Sequence, residues 1–175
     1  MKKRLLVLFA LGLTIVPGFA ASAATLTPER VGAISQQCTV IQTILDQLQR
    51  RDLVARTNRG RAYEAQIKQI DALSQRLHAN NIASTSIDAP AVNFKAVVES
   101  FRGAYVTYDD SMTTLRQIDC RNRPEDFALR LEESKVHRHA LGVEVTKGEE
   151  ALTRYRQAVT LLRETLPEDK RSGSQ

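Results

Sequence analysis

The last third of the chain carries apolar residues at alternating steps of three and four positions. The series runs through Phe127, Leu131, Ser134, Arg138, Leu141, Val145, Gly148, Leu152, Tyr155, Val159, Leu162 and Leu166, and nine of these twelve are apolar or aromatic. Only an α-helix brings positions with this spacing onto one narrow face. The pattern therefore predicts a long helix that packs against other helices along a seam, as in a coiled coil.

Two earlier stretches have the same spacing. The first follows Thr27-Pro28-Glu29, which has the N-cap, first-turn proline and acidic residue of a helix start. The second follows residues 78–90, which are rich in Asn, Ser, Thr and Ala and are typical of a loop. Together with a helix start at Pro124, these patterns predict an all-α fold. The predicted helices cover about residues 28–79, 91–119 and 124–166.

The topology depends on whether the first helix continues through Gly60. Tyr63 lies 18 residues after Leu45, which is five helical turns, so both can share one face of a straight helix. A glycine inside that helix costs roughly 1 kcal/mol, which a long helix tolerates. The alternative is a break near Gly60, which would give a four-helix up-down bundle.

Cys38 and Cys120, the two cysteines of the chain, favour the unbroken helix. With a break at Gly60, the helix that precedes Cys120 would end about 30 Å from Cys38, whereas a disulfide needs Cα atoms within about 7 Å. With one helix over 28–79, the returning helix brings Cys120 back beside Cys38. We therefore expect an elongated, antiparallel three-helix bundle closed by this disulfide, which would contribute roughly 4 kcal/mol.

Residues 1–23 have the organisation of a secretory signal peptide. A basic start at Lys2, Lys3 and Arg4 precedes an apolar run that is shorter than the roughly 20 residues of a membrane span. The small residues of Ala21-Ser22-Ala23 fit a cleavage site, so we expect an exported protein of the periplasm or extracellular space, without a stable membrane span after cleavage. The chain would then divide into a cleaved signal peptide (1–23), one helical-bundle domain (24–166) and a disordered tail (167–175).

The charge of the mature chain is close to balanced. Removing the three basic residues of the signal peptide leaves 22 basic against 20 acidic residues, so bulk charge indicates neither nucleic-acid nor membrane binding. Five arginines nevertheless cluster on the first helix, where they surround it as a basic collar formed by Arg50, Arg51, Arg56, Arg59 and Arg61. We interpret this collar as a solvated surface, with docking to an anionic partner as the alternative.

Polar residues interrupt the seams at one level of the predicted bundle. Asp52 lies in the first seam and Arg138 in the last, while Tyr105 and Tyr108 of the second helix fall near the same height. We expect these four to form a buried polar layer, an Asp52–Arg138 pair with both tyrosine hydroxyls, that fixes the register of the helices. A small-ligand site at this level is the alternative.

The remaining polar residues do not form a catalytic, metal-binding or cofactor-binding motif. Glu133 and His137 share a helix face, but they lack the further ligands that a metal site needs. We therefore expect no catalytic residues, no metal and no cofactor. The sequence favours a non-enzymatic exported interaction, adaptor or holdase-like module whose partner is another macromolecule of the cell envelope or a second copy. The alternatives are a small-ligand carrier, or a helical inhibitor or effector that makes contact through residues 78–90.

Overall fold

A computed structural model describes residues 27–167, and this part of the chain is all-helical, as the sequence predicted. The four helices are α1 (Pro28–Gln36), α2 (Cys38–Ala79), α3 (Thr85–Arg116) and α4 (Pro124–Thr165). The predicted signal peptide and the tail after Pro167 lie outside the described residues. At the start of α1, the Thr27 side chain accepts a hydrogen bond from the Arg30 amide at 3.3 Å, and Pro28 occupies the first turn.

The prediction of one helix over 28–79 is wrong at Gln37, where α1 and α2 meet. Helical hydrogen bonding passes through this residue, because its amide bonds to Ala33 and its carbonyl accepts from Ile41, both at 3.0 Å. The direction changes, however. Arg30 of α1 bonds to Glu132, 102 positions further along the chain, whereas the ion pairs between α2 and α4 join residues 86 and 90 positions apart. A straight helix would hold Arg30 below the start of α4, so α1 bends towards α4.

Burial of Ile34 explains this bend. Ile34 is buried in a cluster with Phe127 and Ala128 of α4, and a straight continuation of α2 would leave it beyond the end of α4. Since the bend keeps the backbone hydrogen bonds, its cost is small compared with the burial of an isoleucine side chain.

The break that the alternative topology required at Gly60 is absent from α2, which is helical from Cys38 to Ala79. The helix ends instead at Asn80–Asn81. Asn81 takes a left-handed conformation with φ of 53°, and the Ile82 amide reaches back to the Leu77 carbonyl at 2.9 Å. This is a Schellman ending, in which asparagine replaces the usual glycine.

The boundaries predicted for the second helix were also wrong. It begins at Thr85, not at 91, and ends at Arg116, not at 119, so the predicted loop over 78–90 shrinks to the residues between Ala79 and Thr85. Pro90 lies inside the helix, where it removes one hydrogen-bond donor near the helix start. Ile87 is almost completely buried, and its packing outweighs the local preference of proline for a helix boundary.

The connection from α3 to α4 is a tight turn organised by Asp119. Its carboxylate accepts hydrogen bonds from the backbone amides of Arg121 and Asn122 and from the Asn122 side chain. These bonds, the side-chain bond from Asn122 first, lower the pKa of Asp119. Within this turn Cys120 forms a disulfide with Cys38, and the two Cα atoms are 5.4 Å apart.

The helix α3 supplies the continuous part of the core. Its buried residues are Ile87, Phe94, Val98, Phe101, Tyr105, Tyr108, Met112 and Leu115. It runs antiparallel to α2, since Asp71 pairs with Lys95 while Asp46 pairs with Arg116.

By contrast, the fully buried residues of α2 and α4 fall into two groups, separated by a gap in the middle of each helix. In α2 no residue between Leu45 and Tyr63 is fully buried, and in α4 none is between Ser134 and Gly148. The core accordingly separates into two clusters, one on each side of this level. Asp52 and Arg138, two of the residues predicted to form the polar layer, lie in these two stretches without fully buried residues, at the same level of the bundle.

Candidate functional site

Asp52 lies at the centre of the site and connects α2, α3 and α4. Its carboxylate accepts a hydrogen bond from the Tyr108 hydroxyl at 2.6 Å. The guanidinium of Arg138 donates two more, from Nε at 3.0 Å and from Nη2 at 3.2 Å. The structure thus brings together three of the four residues that the sequence placed in a polar layer.

This cluster lies near the surface, so the description as a buried layer was wrong for Arg138. The Tyr108 side chain is buried, but the side chains of Asp52 and Arg138 are 18% and 52% exposed. Burial acts to raise the pKa of Asp52, yet the hydrogen bonds from Arg138 and Tyr108 outweigh it, and the net effect lowers the pKa. Burial and the neighbouring carboxylate together raise the pKa of Tyr108. Asp52 is therefore held as a carboxylate, and Tyr108 as a neutral donor.

Tyr105, the fourth predicted residue, is close to this cluster but does not bond to it. Its ring meets the Tyr108 ring edge to face, with centroids 6.3 Å apart. Its hydroxyl is buried and has no hydrogen-bond partner within the described part of the chain. The guanidinium of Arg56 lies over the Tyr105 ring, 4.4 Å from the centroid. The expectation that both tyrosine hydroxyls would be satisfied was therefore wrong for Tyr105.

An open pocket lies beside these residues, with a volume of about 260 Å³. It is lined by Asp52, Ala55, Arg56, Arg59, Phe101, Tyr105, Arg138, Leu141, Gly142 and Val145. Its position follows from the gaps in the core. At this level α3 presents the aromatic rings of Phe101 and Tyr105. From α2 and α4 come Ala55, Gly142, charged side chains and the partly buried Leu141 and Val145, which do not fill the space between the helices.

The sequence matches no protein-family model, and no curated protein or solved structure is significantly similar to it. The chemistry of the site must therefore be read from its own side chains. Those of the pocket combine guanidinium groups, one carboxylate and an apolar floor, a set suited to holding an anion rather than to transferring protons or electrons.

The structure divides the predicted basic collar into two groups. Arg56 and Arg59 face the pocket, and Arg59 donates a hydrogen bond to Glu149 of α4 at 2.9 Å. Arg50 instead pairs along its own helix with Asp46 at 2.7 Å. Arg51 and Arg61 are exposed on other sides of α2. The collar is therefore not one surface, and only its inward members meet groups of the other helices.

The inward direction of Arg56 is a feature that the sequence reasoning missed. Arg56 lies 18 residues after Cys38, which is five turns, so the two residues share a face of α2. Cys38 faces Cys120 and the core, and the same count could have placed Arg56 inward. No comparable sequence pattern could have predicted the pairing of Arg59 with Glu149, because this pairing depends on the offset between α2 and α4.

The other residues considered in the sequence as possible metal ligands, His137 and Glu133, form only a surface pair. His137 lies 3.8 Å from Glu133 on the surface of α4. Between residues 27 and 167, no group of three or more His, Cys, Asp or Glu side chains is arranged to hold a metal ion. None of the helices described is long and apolar enough to cross a membrane.

Proposed function

We propose that this protein is a non-enzymatic exported module that binds another macromolecule of the cell envelope, as an adaptor or holdase-like protein of the periplasm or cell surface. The proposal includes the elongated arrangement in which α2, α3 and α4 form a three-helix rod and α1 covers one end. The disulfide between Cys38 and Cys120 supports export, because such bonds persist in oxidising compartments.

The observation that carries the proposal is an apolar stripe on the outside of α4. Leu129, Val136 and Val143 are 58%, 66% and 39% exposed. They follow one another at steps of seven residues, so they lie along one line of the helix. Each comes two residues after a position of the inward seam, and two residues correspond to roughly 200° of rotation, which places the stripe opposite the core.

The outer face of α2 has a similar character, with Val40, Ile44 and Val54 all more than half exposed. Single exposed apolar residues are ordinary on protein surfaces, but a heptad-spaced line on a long helix is the pattern that a partner helix recognises. We therefore propose an amphipathic helical segment of a client or partner as the occupant of the α4 stripe.

The state of Asp52 argues against general acid–base catalysis in the pocket. It is the one carboxylate of the pocket lining, and Arg138 and Tyr108 hold it ionised with a lowered pKa. A general acid or base at neutral pH needs a pKa shifted in the opposite direction, towards 7.

The stripe can be tested by replacing Leu129, Val136 and Val143 together with serine. The matched control replaces Val92 and Val106, two exposed valines of α3, with serine. We expect the wild type and the control to suppress aggregation of a thermally unfolding client enzyme, and the stripe variant to lose most of this effect while its circular dichroism stays unchanged. Light scattering of each protein alone would detect self-association through the same stripe. A stripe variant that protects the client as well as the wild type would refute the proposal, as would a wild type that neither protects the client nor self-associates.

The pocket favours a second candidate function, the small-ligand carrier, because a cavity lined by three arginines and apolar residues lies at the level of the predicted polar residues. The third alternative is an inhibitor or effector that makes contact through residues 78–90, and this contact would be partly helical, since residues from Thr85 onward belong to α3.

A further inference from the structure

We infer that the pocket between α2, α3 and α4 is a binding site for a small monocarboxylate whose body is apolar, either aromatic or branched. This inference goes beyond the proposed interaction function, because it concerns the inner side of α4 rather than its outer stripe. It rests on the uncompensated charge of Arg56, on the apolar side of the pocket and on the size of the pocket.

The charges around the pocket leave one positive charge without a counter-ion. Arg138 is paired with Asp52, and Arg59 is paired with Glu149. Arg56 makes no ion pair with any carboxylate of residues 27–167, and its guanidinium lies over the uncharged Tyr105 ring. A single uncompensated guanidinium matches a ligand with one negative charge, and its planar group of N–H donors is well suited to a carboxylate.

Tyr105 is the aromatic neighbour of this charge. The residue is 2% exposed, and its hydroxyl lies inside the bundle without a hydrogen-bond partner among the described residues. The buried hydroxyls of Tyr63, Ser134 and Tyr155 are in the same state, so this hydroxyl does not by itself indicate a ligand. The Tyr105 ring packs against the Arg56 guanidinium but supplies no negative charge, and a carboxylate of the ligand would supply it.

The opposite side of the pocket is apolar. Phe101, Leu141 and Val145 line it, and Gly142 contributes no side chain. This division between a cationic and an apolar side excludes a fully hydrated anion as the best ligand, since such an ion would leave the apolar side covered only by water. The volume of about 260 Å³ corresponds to roughly nine water molecules at liquid density, which is near the size of phenylacetate.

Binding of phenylacetate to the oxidised mature protein provides the test, by calorimetry and by ligand-observed NMR. We expect a Kd below about 1 mM. Phenylacetamide lacks the charge and acetate lacks the ring, so each should bind at least about tenfold more weakly. Inorganic phosphate should not compete. An absence of saturation up to about 10 mM phenylacetate would overturn the inference, and equal binding of phosphate would overturn the assignment to monocarboxylates.

Two variants locate the site. Arg56→Gln removes the unpaired charge from an exposed side chain and should weaken binding by about tenfold or more, whereas the control Arg61→Gln, on another side of α2, should bind within about twofold of the wild type. Gly142→Phe should fill the pocket and abolish binding, because a Cβ atom at Gly142 would meet nothing within 4 Å and the helix can therefore accept a side chain there. Equal effects of the two arginine variants, or wild-type binding by Gly142→Phe, would contradict the placement of the site.

Discussion

Tyr108 and Tyr105 form a matched pair for measuring what the Asp52 cluster contributes to stability. Both lie on α3, three residues apart, and both are buried. The Tyr108 hydroxyl donates a hydrogen bond of 2.6 Å to Asp52, whereas the Tyr105 hydroxyl has no partner among the described residues. Phenylalanine at either position deletes the same oxygen atom, so the difference between Tyr108→Phe and Tyr105→Phe isolates the hydrogen bond.

The magnitude follows from the surroundings of each hydroxyl. A hydrogen bond to a charged group contributes about 1.5–3 kcal/mol. In Tyr108→Phe, Asp52 keeps its two bonds to Arg138, and its side chain is partly exposed, so water can replace the lost donor. The loss should therefore lie near 1.5 kcal/mol, the lower end of that range. Tyr105→Phe removes a buried hydroxyl without a partner, so the free energy of unfolding should stay constant or rise by up to about 1 kcal/mol.

The difference should also depend on pH. The net lowering of the Asp52 pKa below its ordinary value of 3.8 means that the folded state favours the carboxylate. The stability that this provides is fully present above the unfolded pKa, and it is lost as the pH falls through the lower folded pKa. The gap between the two variants should accordingly be complete at neutral pH and shrink once Asp52 is protonated.

Urea denaturation followed by far-ultraviolet circular dichroism, at neutral pH and in steps below about pH 4, measures both quantities. In a thermal scan, a gap of about 2 kcal/mol would separate the melting temperatures of the two variants by roughly 4–8 °C. Equal destabilisation by the two substitutions would refute the reasoning, because it would mean that the hydroxyl of Tyr108 stabilises no more than that of Tyr105. A gap that stays constant down to the lowest pH at which the proteins remain folded would show that the ionisation of Asp52 is not its source.

Two further predictions concern the disulfide and the helix packing. The double variant Cys38→Ser/Cys120→Ser should lose about 4 kcal/mol of unfolding free energy, since the bond closes a loop with a sequence separation of 82 residues; a loss below about 1 kcal/mol in the same titration would contradict this. Gly148→Ala should destabilise by about 1–2 kcal/mol despite the better helix propensity of alanine, because its Cβ would lie 2.5 Å from the Tyr63 hydroxyl. Adding Tyr63→Phe should restore part of that loss. The control Gly60→Ala has open space around it and should stabilise the protein by about 1 kcal/mol. Equal stabilities of Gly148→Ala and Gly60→Ala would show that the close contact with Tyr63 is not present.

The helices were predictable because the spacing of apolar residues reports directly on which face is buried. The uninterrupted seam of α3 from Phe94 to Leu115 required no other information. The junction at Gln37 was not predictable in this way, because the spacing of Val31, Ile34 and Cys38 continues through it. The bend arises from where α4 begins, and a local pattern contains no information about that distance.

The predicted start of α3 was wrong for a related reason. Pro90 and the polar residues before it have the local character of a boundary. The burial of Ile87 against residues such as Leu77 and Phe94, in the same cluster, decides the outcome, and this contact exists only after α2 and α3 have folded against each other.

The contacts of Asp52 could be predicted from the sequence, because the disulfide fixes the register of the helices. Counting from Cys38 and Cys120 places Asp52, Tyr108 and Arg138 at one height, and the hydrogen bonds follow from that height. The position of a residue along the bundle axis does not determine how deeply its side chain is buried, however. The same count gave no indication that Arg138 would remain half exposed, or that the Tyr105 hydroxyl would lack a partner in the described part of the molecule.

The pocket argues for a function more strongly than the stability of the bundle does. Leucine at positions such as Asp52, Arg56 and Arg138 would continue the seams of α2 and α4 through their gaps and bury more apolar surface. Replacing a partly buried ion pair by well-packed apolar residues is often stabilising, so the charged groups reduce the stability that this backbone could reach. Local departures from the most stable pattern are expected at functional sites. The two gaps lie at the same height on separate helices, beside an arginine without a counter-ion in the described part of the chain, and the proposed binding site would account for these features together.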